Sequence, residues 1–322
     1  LTSITVPEGI TALPYSAFKG MTSLKEINLP ETLNTINGYA FHGCSGLKTL
    51  ILPDALTTLE DYALAGCTGL TEISIPDGIT ELNNYVLADC TGLTVVTLPA
   101  TMTTICAYAM KGCTGIQSMT LPESITTLSS CAFQNCTNLS SVNYPVGWTV
   151  HQSRNDDADD GIYYFSSPFE GCTKLTSIAV PEGITAIPYS AFRGMTSLQD
   201  ISLPGSVIEV KDYAFNSCSS LEKIWIGEAV TAIGEYSFTS CALLTIHGIA
   251  GSYAETYANA HSILFSTDLL DVSDSAFCGK VTDENGTGLQ NVSVLIWDVF
   301  EEEILAATVT DESGQWSVSG AF

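Results

Sequence analysis

The chain has 322 residues, 45% of them hydrophobic and only 14% charged, and its 35 acidic residues face ten Lys and Arg for a formal net charge of -25. The ten cations are scattered, so the surface would repel nucleic acids and anionic membranes, both of which need a local basic patch. No apolar run approaches the roughly 18 residues of a membrane helix, and no signal peptide opens the chain.

One phrase recurs at a fixed step of 23 residues. Leucine or isoleucine stands at Leu1, Leu24, Leu47, Leu70, Leu93, Ile116 and Leu139, and again at Leu175, Leu198, Leu221 and Leu244. A period of this length is the signature of a solenoid, in which each repeat contacts only its neighbours. Within a repeat, the alternation around Ile4 and Val6 predicts a short strand with one buried face. Proline ends that strand at Pro7, Pro30, Pro53, Pro76, Pro99, Pro122, Pro145, Pro181 and Pro204, because it cannot donate to a ladder. A second apolar pair, such as Ile79 and Leu82, is expected to turn a corner of the coil. The phrase Tyr39-Ala40-Phe41-His42-Gly43-Cys44 then predicts one helical or 3-10 turn, closed by a glycine free to adopt positive φ. Phe18, Phe41, Phe133, Phe192, Phe215 and Phe238 should stack as a spine beneath that wall. Strands stacked at ~4.8 Å give eleven repeats a length of about 50 Å.

This phrase and spacing resemble the BspA-type leucine-rich repeat of bacterial surface proteins, most closely over residues 230–241 (VTAIGEYSFTSC). The resemblance covers residues 1 to about 265. It implies a leucine-rich repeat solenoid with a parallel sheet on one face and short helical or 3-10 turns on the other. It also implies an extracellular or cell-surface location, binding or adhesion, and no catalytic residues in the repeat.

The pattern is interrupted at about 146–167, where a 13-residue excess carries Asp156, Asp157, Asp159 and Asp160, followed by Tyr163, Tyr164 and Phe165. Clustered carboxylates could coordinate Ca²⁺, although the spacing fits no EF-hand; the alternative is a solvated acidic loop. Residues 1–30 and 175–204 differ at six of thirty positions, which points to duplication of a 174-residue block. The chain is expected to be a fragment, with natural sequence continuing before Leu1. The array should end near residue 245. Ser252-Tyr253-Ala254-Glu255 is a capping-box pattern that predicts a helix of about ten residues, and Ile263-Leu264-Phe265 a returning strand, so that 246–265 form a cap. A linker over 266–275 leads to an all-β segment over 276–322. Its alternating runs and Gly-containing turns look like the start of a carboxypeptidase-regulatory or transthyretin-like β-sandwich.

Eight of the eleven cysteines share one repeat position with Met21 and Met195. That exchange predicts a buried ladder of free thiols in a slot for soft apolar groups. Cys106 and Cys131 stand outside it and could pair as a disulfide. No Cys-x₂-Cys pair suggests zinc, His42, His151, His247 and His261 stand in no hydrolase motif, and no phosphate-binding glycine pattern is present. No cofactor is expected. The exposed column of the strand wall runs Thr5, Asn28, Ile51, Ser74, Thr97, Thr120, Asn143, Ala179, Ser202 and Trp225. Asn28, Asn143 and Trp225, with Tyr163 and Tyr164 of the insertion, are the candidate binding residues. Trp225 could be an exposed hot spot or could pack on the cap. The chain is read as a monomeric, non-enzymatic scaffold that binds a host or matrix protein or a glycan. The rival reading is a passive spacer displaying another domain, with an enzyme a distant third.

Overall fold

A computed structural model describes residues 1–152 and 166–267, and four strands beyond them at 277–280, 293–298, 303–309 and 315–318. Residues 1–267 coil into a parallel β-solenoid of about eleven turns, with one short helix among the described residues. One wall consists of strands such as Ser3–Thr5, Glu26–Asn28, Glu72–Ser74 and Val95–Thr97. They pair in parallel two by two at a step of 23: Ser3 with Glu26, Ile4 with Ile27, Thr5 with Asn28, and likewise Glu72–Ser74 with Val95–Thr97. The middle residue points inward because strand side chains alternate, so Ile27, Ile73 and Ile201 are buried between exposed neighbours.

The expected corner is in fact a second sheet. Pairs such as Ala12–Leu13, Thr35–Ile36 and Thr58–Leu59 form one parallel ladder, Glu81–Leu82, Thr104–Ile105, Thr127–Ser129 and Val150–Gln152 another. In the two-residue strands one residue, Leu, Ile or Val, is buried and the other more exposed, whereas Thr127–Ser129 is buried throughout. Threonine hydroxyls along this wall's margin donate to the carbonyl one turn back, Thr57 to Asn34 at 3.3 Å and Thr103 to Thr80 at 3.2 Å.

The third wall carries the Tyr-Ala-Phe phrase, and it forms turns rather than a helix. The Cys44 amide donates to the Phe41 carbonyl within the turn, but the Phe41 and Gly43 amides donate across to Ala63 and Ala65 of the next repeat at 2.8 and 2.7 Å. Amides shared between turns cannot close a helix. Two left-handed positions also break it: Gly43 at φ 72, as the glycine reading requires, and Tyr39 at φ 60, which hydropathy does not announce. The phenylalanine spine forms, with Phe18–Phe41, Phe192–Phe215 and Phe215–Phe238 stacked at 5.1–5.3 Å.

The eight thiols are buried and free. Each Sγ donates to the carbonyl of the residue that precedes it by one turn and a little more, Cys67 to Phe41 and Cys90 to Leu64, both at 3.2 Å. The slot therefore suits a soft apolar group that also carries a weak donor.

At the insertion the third wall runs straight past the excess residues. Phe133 N–H donates to Pro168 at 2.7 Å, Asn135 N–H to Glu170 at 2.9 Å, and Phe133 stacks on Phe169 at 5.4 Å. The core is enlarged here: Tyr144 and Trp148, both buried, replace aliphatic residues and reach Phe192 with centroids 6.4 Å away.

At the other end, Thr245–Gly248 pairs with Lys223–Ile226 at a step of 22, one residue short of the repeat. A helix over Tyr253–Ala260 then lies across the last turn, with Ala254, Tyr257 and Ala258 buried. Ser252 Oγ accepts from the Glu255 amide, while Glu255 accepts from Gly251 rather than from Ser252. Tyr257 Oη donates to the Gly234 and Glu235 carbonyls, while Tyr253 stays exposed. Leu264–Ser266 adds a last parallel strand.

Residues 1–267 form one unit and 268–322 a second. In the second, Phe277–Lys280 pairs antiparallel with Gln315–Val318, and Ser293–Asp298 with Glu303–Val309.

Candidate binding surface

The outward column of the first wall is flat and mostly small. Besides the half-buried Trp225 its large apolar member is Ile51, 85% exposed; in the column beside it stands Val95, 52% exposed. They line two shallow depressions that meet at Val95 and Thr97. One, about 370 Å³, also touches Thr49, Ser74 and Glu72; the other, about 530 Å³, extends to Ser118, Thr120 and Pro122. An exposed apolar pair rimmed by Thr, Ser and Glu is the usual composition of a contact patch.

Asn28, Asn143 and Trp225 fall elsewhere on this wall. Asn28 is exposed, with its amide 3.4 Å from Thr5 Oγ1. Asn143 is engaged in the fold: its amide accepts from Leu121 N–H at 2.7 Å and donates to Leu121 O at 2.8 Å, standing in for strand backbone. Trp225 is half-buried in the ladder between Ser202 and His247. Asp156, Asp157, Asp159, Asp160, Tyr163 and Tyr164 lie outside the described residues. Among the described residues, no group of three or more His, Cys, Asp or Glu could hold a metal ion.

Cys106 and Cys131 are free thiols. Cys106 Sγ donates to Glu81 at 2.7 Å and Cys131 Sγ to Glu170 at 3.1 Å, so each faces a carboxylate. Burial, then the adjacent Glu170 carboxylate, pushes the Cys131 thiol up to about 12, far from the ionised form that reacts.

A second surface feature went unread in the sequence. Along the third wall, Tyr39, Tyr62, Tyr85 and Tyr108 stack face to face with centroids 4.5–4.7 Å apart and planes within 10°. Tyr15 leans on the near end at 5.4 Å and 55°. Lys19 Nζ lies 4.5 Å from the Tyr39 ring and Lys111 Nζ 5.6 Å from the Tyr108 ring, within cation–π reach. All four stacked tyrosines have left-handed backbone, φ 56 to 60. A non-glycine residue there costs on the order of 1–2 kcal/mol, which ring stacking of about 0.5–1.5 kcal/mol per pair offsets. The column breaks at Cys131 and resumes as Tyr189, Tyr213 and Tyr236. The signal was available: tyrosine recurs five residues before cysteine at the 23-residue step.

Residues 1–113, 83–154 and 165–262 match the BspA type Leucine rich repeat region, in six copies. The chain belongs to the BspA-type leucine-rich repeat family. Proteins of this family are typically cell-surface and generally non-enzymatic scaffolds. Among solved structures, a leucine-rich repeat protein from Bacteroides ovatus ATCC 8483 is similar at 26% identity and TM-score 0.57, over 77% of this chain and 69% of that one. A leucine rich cell surface protein from Faecalibacterium prausnitzii A2-165 is 24% identical with TM-score 0.38, over 84% and 83% of the two chains. The pneumococcal vaccine antigen PcpA is 16% identical with TM-score 0.40, over 84% and 89%. No curated protein matches. The BspA-type match ends at residue 262 and does not extend to the C-terminal strands. Among the described residues, no helix is long and apolar enough to cross a membrane.

Proposed function

We propose that this BspA-type array is an extracellular or surface-anchored adhesion scaffold that binds a host or matrix protein, or a glycan, through the outward face of its first wall. The observation that carries this reading is the uncovered Ile51–Val95 patch, because apolar side chains held open on a rigid sheet gain free energy when a partner covers them. The acidic insertion, including Tyr163 and Tyr164, is a second contact region in this reading, and Asp156, Asp157, Asp159 and Asp160 its calcium candidates. Asn28 and Trp225 extend the contact along the wall. The scaffold works as a monomer without a cofactor and catalyses nothing. The C-terminal strands belong, in the same reading, to a transthyretin-like spacer module.

The test is a screen of the whole chain on glycan and matrix-protein arrays. Ile51→Asp with Val95→Asp should weaken a hit at least tenfold without lowering Tm by more than a degree or two, since both residues are exposed. Trp225→Ala and deletion of 153–165 locate the remaining contacts. Binding untouched by the Ile51 and Val95 changes would move the site off this wall, and no hit on any surface would favour the spacer reading.

A further inference from the structure

The stacked tyrosines are an oxidisable array placed on the outside of the molecule, and binding through the first wall does not use them. The thiols, ordinarily easier to oxidise, are all buried among the described residues and donate to carbonyls or carboxylates. Their reactive thiolate form is suppressed. The tyrosines, by contrast, are half-exposed and fixed in pairs. Successive rings are related by one step of the coil and are nearly parallel. Each ring carbon therefore lies about one centroid separation from its counterpart on the next turn. Such fixed proximity turns an encounter between two rings into an intramolecular step.

We propose that this column is a site of oxidative phenol coupling, at which neighbouring tyrosines become joined as dityrosine and successive turns of the coil are stapled together. The oxidant is hydrogen peroxide used by a haem peroxidase. Each of two phenols loses one electron and its hydroxyl proton, giving two phenoxyl radicals. A carbon–carbon bond forms between ring positions ortho to the oxygens. The two hydrogens displaced from those carbons leave as protons, and two protons return to the oxygens to restore both phenols. In sum, two tyrosines and one peroxide give one dityrosine and two waters. A link between Tyr62 and Tyr85 ties residues 23 apart in sequence, so it constrains the unfolded chain as a cross-link does.

The geometry ranks the pairs. Tyr62–Tyr85 is best, at 4.5 Å and 6°. Tyr39–Tyr62 and Tyr85–Tyr108 follow at 4.7 Å, then Tyr213–Tyr236 at 5.2 Å and 21°. The tilted pairs Tyr15–Tyr39 and Tyr189–Tyr213, at 55° and 57°, come last. The full chain, dilute, is treated with horseradish peroxidase and peroxide under conditions that couple N-acetyltyrosine. Digestion and mass spectrometry then count linked peptides, each lighter by two hydrogens. Links within one chain at Tyr62–Tyr85 should exceed those at the tilted pairs several-fold, and the treated chain should melt higher. Tyr62→Phe and Tyr85→Phe keep the stack and the circular dichroism spectrum but abolish that link and its fluorescence. No dityrosine, links only between separate chains, or equal yields at stacked and tilted pairs would each overturn the proposal.

Discussion

Residues 1–30 and 175–204 are nearly the same sequence in two surroundings. In the second copy Leu175 is fully buried and Ile184 is 5% exposed; their counterparts Leu1 and Ile10 are 77% and 39% exposed. Phe192 is fully buried, packed against Tyr144 and Trp148 on one side and Phe215 on the other, whereas Phe18 is only partly buried and stacks on Phe41 alone. The left-handed positions recur in both, Ser16 at φ 59 and Ser190 at φ 54, Gly20 and Gly194 both at φ 73, although Ser3–Thr5 is a strand and 177–179 is not. Local conformation in this coil is set within the repeat, and burial is set by the neighbour. A hydrophobic position read from the sequence is therefore a statement about a slot, which becomes core only when the adjacent turn fills its far side.

Three measurements sharpen or break that contrast. The largest effect is expected from truncating the spine: Phe192→Ala should cost about 3–5 kcal/mol, as for a large buried aromatic, and Phe18→Ala well under half as much. Urea unfolding of both variants checks this, and equal losses would show that the neighbour does not decide the energetics. A smaller effect of opposite sign is expected at Tyr144, which packs on the second copy. Its hydroxyl is buried without a hydrogen-bond partner, so Tyr144→Phe should stabilise by about 1 kcal/mol. A loss of stability there would mean that the hydroxyl has a favourable role. The third is a pH effect. Of the thiols that bond to the two copies, burial raises Cys44 to about 11, and the hydrogen bond with the neighbouring Cys241, then burial, raises Cys218. A thiol whose folded pKa is raised contributes stability that is complete below the unfolded value of about 8.5 and is lost as pH rises toward the folded value. Thiol labelling should therefore show no change below pH 8 and set in at Cys44 between pH 9 and 11, before Cys218, because Cys44 lies under the partly buried Phe18 and Cys218 under the fully buried Phe192.

What the sequence made legible was whatever repeats once per turn with a strong hydropathic sign. Leu24 and Leu47 in the core, Pro7 and Pro30 closing strands, Phe41 in the spine and Cys67 in its slot all follow from burial at a fixed step. The second sheet was hidden because Thr35–Ile36 is too short to display a two-residue period. The tyrosine column went unread, although tyrosine recurs at the 23-residue step, because Tyr39 and Tyr62 meet through a left-handed backbone, which hydropathy does not encode. On the candidate surface, the column containing Ile51 was readable. Periodicity did not show how its members are engaged: Asn143 hydrogen-bonds with Leu121, and Trp225 lies half-buried beside His247. Val95 was missed because it sits two residues earlier along the strand, in the column flanking Ile51.

The third wall carries its hydrogen bonds past the insertion by changing their offset in sequence from 22 to 35, as between Met110 and Ala132 and then Phe133 and Pro168. The wall counts turns and is indifferent to how many residues lie between them. Segments of quite different length can therefore leave after Gln152 and rejoin at Ser166 without shifting the register of any repeat on either side. For an engineer, that junction is a socket: a foreign loop whose ends meet the same gap could be presented there on a rigid stalk, with the coil left unaltered.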